Sequence, residues 1–231
     1  MTMSAGSWPW AHILAAGFSL GSFYALVALG FSLIFGITRA FNLAHGELIV
    51  LAGYFAFALV SFCQAPFALT FPPVLLAMAI LALPLCLLLR RLQEPYALNT
   101  LVVTFGLALL LQNLMLVWFS ADYRLIRTDF ANSIPAGAGP FSVNQIILIG
   151  LSLLATAAVH VLLHHTFLGK ALRATIQDPE AAQIAGINVK RMAFTAFALG
   201  GVLIGLAGPL YGQNMYLYPT AGTGATLIAI I

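Results

Sequence analysis

The polar residues that could do chemistry fall into three small groups in an otherwise apolar chain. Asn42, His45, Gly46 and Glu47 lie together in FNLAHGELIV. Gln112 and Asn113 interrupt the run TLVVTFGLALLLQNLMLVWF, and His160, His164 and His165 close a third run. His160 and His164, four residues apart on a helix, could present two nitrogens to a metal. No acidic or cysteine partner stands near them, so the expected metal ligands are none. The preferred reading places them at a helix end, where the dipole tolerates partial positive charge. Ser152, Thr104 and Thr156 have no Ser/His/Asp spacing around them, so no catalytic nucleophile is expected. Neither Lys170 nor Lys190 follows the glycine spacing of a phosphate-cradling loop. The chain is therefore expected to bind no cofactor of its own and not to be an enzyme.

The elements that must position these groups are membrane helices. Charged residues make up 6% of the 231 residues and hydrophobic residues 62%, whereas a soluble domain carries about 25% charged residues. The net charge of +3 does not point to nucleic acid, because the basic residues sit in pairs between apolar runs. The N-terminal segment has no Lys or Arg before its apolar run, which outlasts the core of a signal peptide. Cys63 and Cys86 make no disulfide framework.

Apolar runs of the roughly 20 residues that cross a bilayer predict an all-α, polytopic transmembrane bundle. Helices are expected near 11–37, 43–63, 71–89, 99–119, 143–164 and 193–212, with a seventh beginning near Thr223. Pro66, Pro72 and Pro73, Glu94-Pro95 and the segment Pro135 to Pro140 read as punctuation between them. Alternating the sides collects Arg39, Arg90, Arg91, Lys170, Arg173, Lys190 and Arg191 on one face, seven of nine basic residues. The positive-inside rule makes that face cytoplasmic and puts the N-terminus outside. Arg124 and Arg127, flanked by Asp122 and Asp129, remain outside, where Trp8, Trp10, Trp118 and Tyr123 would form an aromatic belt. Glycines four apart, Gly17 and Gly21, Gly201 and Gly205, Gly208 and Gly212, are expected to let helices approach closely.

Two questions of depth stay open at this level. If the second span starts at the interface, His45 and Glu47 are wetted anchors; if Gly46 breaks a helix inside the bundle, they line a cavity. Gln112 and Asn113 lie in mid-span, where unsatisfied amides are costly, so they face either a neighbouring helix or a translocation path.

Residues 165–192 form the only substantial cytoplasmic segment and hold six charged residues. Asp178 suits an N-cap, Pro179 the first helical position, Glu180 the positive end of the dipole and Gly186 the helix end. A two-turn surface helix is expected, with Ala181, Ala182 and Ala185 leaving little bulk for a partner's groove to accommodate. A plain solvated loop helix is the alternative.

Glu180-Ala181-Ala182-x-x-x-Gly186 resembles the EAA loop of permease subunits in binding-protein-dependent ABC importers. The block from Gly21 to Tyr54, with its Asn-x-x-His-Gly-Glu, resembles the first conserved block of the branched-chain amino acid permeases, and Leu111-Gln112-Asn113 and Ala171 to Gly208 match further blocks in order. The resemblance implies a multi-pass permease of the bacterial inner membrane whose single transmembrane domain covers residues 1–231. Its implied partners are two cytoplasmic ATP-binding subunits, a second homologous permease, a periplasmic substrate-binding protein and membrane lipid. ATP would be used by those partner subunits. It also implies coupling to the ATPase subunit through Asp178, Glu180, Ala181, Ala182 and Gly186, and a translocation or gating role around Asn42, His45, Gly46, Glu47, Gln112 and Asn113. Branched-chain amino acids, urea and short amides are all substrates within this resemblance. An ion-gradient transporter is the rival, with Glu47 its one acidic candidate; an intramembrane enzyme would need a catalytic pair that is not evident. The chain stops in the apolar run TLIAII, where family members continue, and is expected to be truncated.

Overall fold

The computed structural model describes residues 9–39, 41–127 and 141–230. Trp8, Asp129 and the segment Pro135 to Pro140 lie outside them. The described residues form α1 (Pro9–Thr38), α2 (His45–Phe62), α3 (Phe67–Arg90), α4 (Tyr96–Phe119), α5 (Val143–His165), α6 (Phe167–Gln177), α7 (Pro179–Ile184), α8 (Val189–Asn214) and α9 (Gly222–Ile230). Six of these are long and apolar enough to cross a membrane. The chain is a polytopic helical membrane bundle.

The helix α8 is the axis. Its small residues present bare backbone on several faces, and each face receives a different neighbour. A side chain added at Gly201 would meet Met78, Ala79 and Ala82 of α3, and one at Gly205 would meet Leu75. Gly208 abuts Ala52 and Gly53 of α2, and Gly200 lies against Ile34 of α1. Lipid supplies no hydrophobic drive for helix association, so close van der Waals approach at small residues holds these helices together. Gly17 and Gly21 behave differently from expectation: nothing lies within 4 Å of a side chain added at either. They line an open groove of about 410 Å³ between α1 and α5, together with Ser152 and Thr156.

Two boundaries depart from the sequence expectation. Pro72 and Pro73 lie inside α3, which begins at Phe67; each forgoes only its own N–H in the second turn of the helix, which a membrane helix tolerates. The helix α8 begins at Val189, before the expected 193, because Asn188 Oδ1 caps it by accepting the Arg191 N–H at 3.0 Å. Lys190 and Arg191 thus stand in its first turn.

The charges separate by end. Arg39 reaches α6, and Arg90 lies over the Phe194 ring near the start of α8, 5.6 Å from its centroid. At the opposite end Arg124 lies 5.2 Å from the Phe57 ring centroid and pairs through its backbone with Leu217, at 3.0 and 2.7 Å. The segment 165–192 holds two helices where one was expected. The additional one, α6, buries Gly169, Ala171, Leu172 and Thr175 and leaves Lys170 and Arg173 outward. Its register comes from the Thr166 cap, whose Oγ1 accepts the Gly169 N–H at 3.0 Å.

Candidate functional site

The helix α2 does not start at a membrane surface. A side chain added at Gly30 would touch Leu203, His45 and the Gly200 carbonyl together, so His45 stands level with the middle of α8. Residues 41–44 therefore re-enter the bundle from the basic end. Thr104, well inside α4, accepts the Leu43 N–H at 3.2 Å. Asn42 Oδ1 accepts the Ala44 N–H at 3.1 Å and turns the chain into the helix.

A second helix start meets the first. After α8 ends, residues 215–221 fold back into the bundle and α9 begins at Gly222, in direct backbone contact with Gly46. Thr226 Oγ1 accepts the Gly46 N–H at 2.8 Å and lies 3.4 Å from the Leu43 carbonyl. Glu47 sits in the first turn of α2 against the first turn of α9. Its Oε1 accepts Gln112 Nε2 at 2.8 Å and Thr223 Oγ1 at 3.1 Å. Its Oε2 is buried against the Gly222 backbone. Two helix N-termini, each carrying about half a positive charge, converge on the Glu47 side chain.

This geometry answers the two open questions. His45 and Glu47 are neither wetted anchors nor cavity lining: Asn42, His45 and Glu47 are 1%, 0% and 1% exposed. Irregular backbone at membrane depth is tolerated when protein covers it, and here α1, α4 and α9 cover it. His45 is held by the Val27 carbonyl, 3.3 Å from Nε2, and by the Phe31 ring edge-on at 5.6 Å. Gln112 makes the interhelical bond that a mid-span amide needs, while Asn113 turns to its own helix and donates to the Leu109 carbonyl at 2.8 Å.

Gln112 also joins the buried cluster to open space. With Asn113, Leu116, Tyr123 and Tyr218 it lines a cavity of about 280 Å³ on the Arg124 side. The Tyr123 ring packs against those of Tyr218 and Tyr216, with centroids 5.2 and 6.1 Å away.

The cytoplasmic-loop expectations divide. Asp178 caps α7, its Oδ1 accepting the Glu180 and Ala181 N–H groups at 2.9 and 3.0 Å, and Gly186 adopts φ +83° where the helix ends. Ala182 faces inward at 3% exposed, so it packs within the chain and is not open to a partner. Ile184 does stand outward, 89% exposed, beside Glu180, Ala181 and Ala185. His160 and His164 stack at 4.2 Å on the exposed end of α5.

Sequence reasoning missed Thr223 and Thr226, the partners of Glu47 and Gly46. Their spacing of three after Gly222 puts both on one helix face, but nothing local links them to residues about 180 positions earlier. Ile184 carried a readable signal, a bulky apolar residue in a charged loop.

Residues 13–231 match the family described as branched-chain amino acid transport system, permease component. The chain is 27% identical to the high-affinity branched-chain amino acid transport permease LivH of Salmonella typhimurium, over 93% of this chain and 76% of that protein. It is 25% identical to BraD of Pseudomonas aeruginosa over 87% and 70%, and 27% identical to the ribose import permease RbsC of Escherichia coli over 89% and 63%. No solved structure matches. With the family match covering residues 13–231, the chain belongs to the family of branched-chain amino acid transport permease components.

Proposed function

We propose that this chain, as one permease domain over residues 1–231, forms half of the pore of an ABC importer in the bacterial inner membrane and moves a small aliphatic amino acid inward. ATP is bound and hydrolysed by two cytoplasmic partner subunits, this chain binding no cofactor. A second homologous permease completes the pore, and a periplasmic binding protein delivers the solute to the Arg124 side. The observation that carries the reading is α7: a capped helix at the basic end, offering Glu180, Ala181, Ile184 and Ala185 outward, uncovered by the described residues. An apolar knob on a short rigid helix is what a groove on a moving partner can grip. The named relatives carry branched-chain amino acids or ribose, so the scaffold alone does not select between solutes. The amide-lined outer cavity would also suit urea or short amides.

The test is uptake of leucine and of urea by the reconstituted complex with Glu180→Lys and Ile184→Asp variants. Each variant is expected to lower ATP-driven uptake about tenfold or more while the permease stays folded, and full uptake in both would sink the coupling assignment. Ala182→Trp is a poorer probe, because its site lies inside the chain and the variant would act on packing. Sidedness can be checked with the native thiols. Cys63 is exposed just beyond α2 at the Arg124 end, and Cys86 is 0% exposed. A membrane-impermeant maleimide added to intact spheroplasts is expected to label Cys63 and spare Cys86. Labelling of Cys63 only after permeabilisation would invert the topology.

A further inference from the structure

Arg39 occupies a junction that its role in topology does not explain. It ends α1 in the left-handed region at φ +51°, with its N–H on the Phe35 carbonyl at 2.7 Å. Its Nη2 donates to the carbonyls of Ile176 and Gln177, at 3.2 and 3.3 Å. These are the last two residues of α6, whose terminal carbonyls lack helical partners and carry the negative end of the dipole. One residue separates them from α7, since Asp178 ends α6 and caps α7. Any displacement of α7 therefore moves the groups that Arg39 holds. Beside this clasp, Gly36 lies against Ile176; a side chain added there would sit 3.1 Å from Ile176 Cδ1.

On its other side Arg39 leads into the re-entrant segment. Phe41 stacks on Phe35, ring centroids 5.1 Å apart, and lies 6.3 Å from Phe31, which in turn meets His45 edge-on. The segment is thus fastened to the last turns of α1, and two residues beyond His45 stands Glu47.

We infer that Arg39 is a positioning residue that links the α6–α7 unit to the re-entrant start of α2, so that movement of the cytoplasmic helix reaches the Glu47 junction. The linkage runs from Gln177 through the guanidinium to the end of α1, and from there through the Phe35–Phe41 stack to His45 and Glu47. It rests on the importer reading above, and adds to it a residue and a route outside the coupling helix.

The test compares solute moved per ATP hydrolysed in reconstituted complexes carrying wild type and Arg39→Gly. Glycine accepts the positive φ, so this variant removes the guanidinium and keeps the backbone turn. The ratio is expected to fall about fivefold or more, with ATP hydrolysis retained and the concentration of loaded binding protein at half-maximal uptake unchanged. Adding Gly36→Cys and Ile176→Cys and oxidising them, which ties α1 to α6 covalently, is expected to restore the ratio, and reduction to abolish it again. A wild-type ratio in Arg39→Gly, or a low ratio that the disulfide leaves low, overturns the inference. Should Arg39→Gly fail to assemble, Arg39→Gln takes its place: its single amide can reach one carbonyl, a fall of about twofold or more is expected, and an unchanged ratio overturns the inference. A wild type with no ATP-dependent uptake overturns the importer reading and the inference together. A transporting wild type beside a variant of equal ratio overturns the inference alone.

Discussion

Replacing Gly46 by alanine is expected to destroy the folded permease, leaving little or no monodisperse protein on size-exclusion in detergent. The added methyl would fall on the Gly222 backbone and within 2.5 Å of Thr226 Oγ1. Neither can yield as the tip of a flexible side chain would, because Gly222 is main chain and Thr226 is held by Gly46 and its own helix. Parting α2 from α9 would break the Gly46–Thr226 bond and draw Thr223 off Glu47. The cost is expected at the top of the overpacking range, about 3 kcal/mol or more. The matched control is Gly17→Ala. Open space surrounds Gly17, and alanine gains about 0.5–1 kcal/mol over glycine within a helix, so the control should equal or exceed wild type. Equal thermal stability of the two variants would show that the α2–α9 contact does not hold the fold.

Substitution of Glu47 should produce the largest functional effect of any single polar side chain. In Glu47→Leu, Gln112 and Thr223 lose their common acceptor at the meeting point of two helix N-termini. Two buried donors left without their acceptor suggest a loss of about 2–4 kcal/mol, with uptake falling about 100-fold and thermal stability falling alongside. Glu47→Gln isolates the acceptor role, since its carbonyl can still accept from Gln112 and Thr223 while the ionisable group is gone. It should retain most assembled protein. Uptake by Glu47→Gln, normalised to assembled complex, then reports whether transport needs an ionisable group there. If Glu47→Leu assembles and transports at the wild-type rate, the junction is packing only and the gating role falls.

Both expectations concern a place where sequence and tertiary structure contributed different things. Glu47 was visible as an ionisable residue in an apolar run, and its expense in lipid marks it without any structure. What it bonds to was not visible. Thr223 lies 176 positions away, in an apolar run whose hydropathy says only that it is buried in lipid or protein. Ala182 makes the same point on a smaller scale: the motif containing it was legible, but which way a helix of six residues turns depends on the surface beneath it.

The sequence alone determined the number and approximate limits of the long apolar helices, the collection of basic residues at one end, and the capped helix from Asp178 to Gly186. Each of these depends on the free energy of a short segment in its solvent: transfer of about 20 side chains into hydrocarbon, or satisfaction of the first N–H groups of a helix by a side chain one turn away. Only the tertiary structure decided that α2 begins in mid-bundle, that α9 starts against it, that Gly201, Gly205 and Gly208 carry the packing while Gly17 and Gly21 face open space, and that Arg39 grasps the end of α6. Hydropathy cannot distinguish these outcomes, because lipid and protein interior are equally apolar. The choice between them depends on which bare backbones meet and which buried polar groups find partners across the fold.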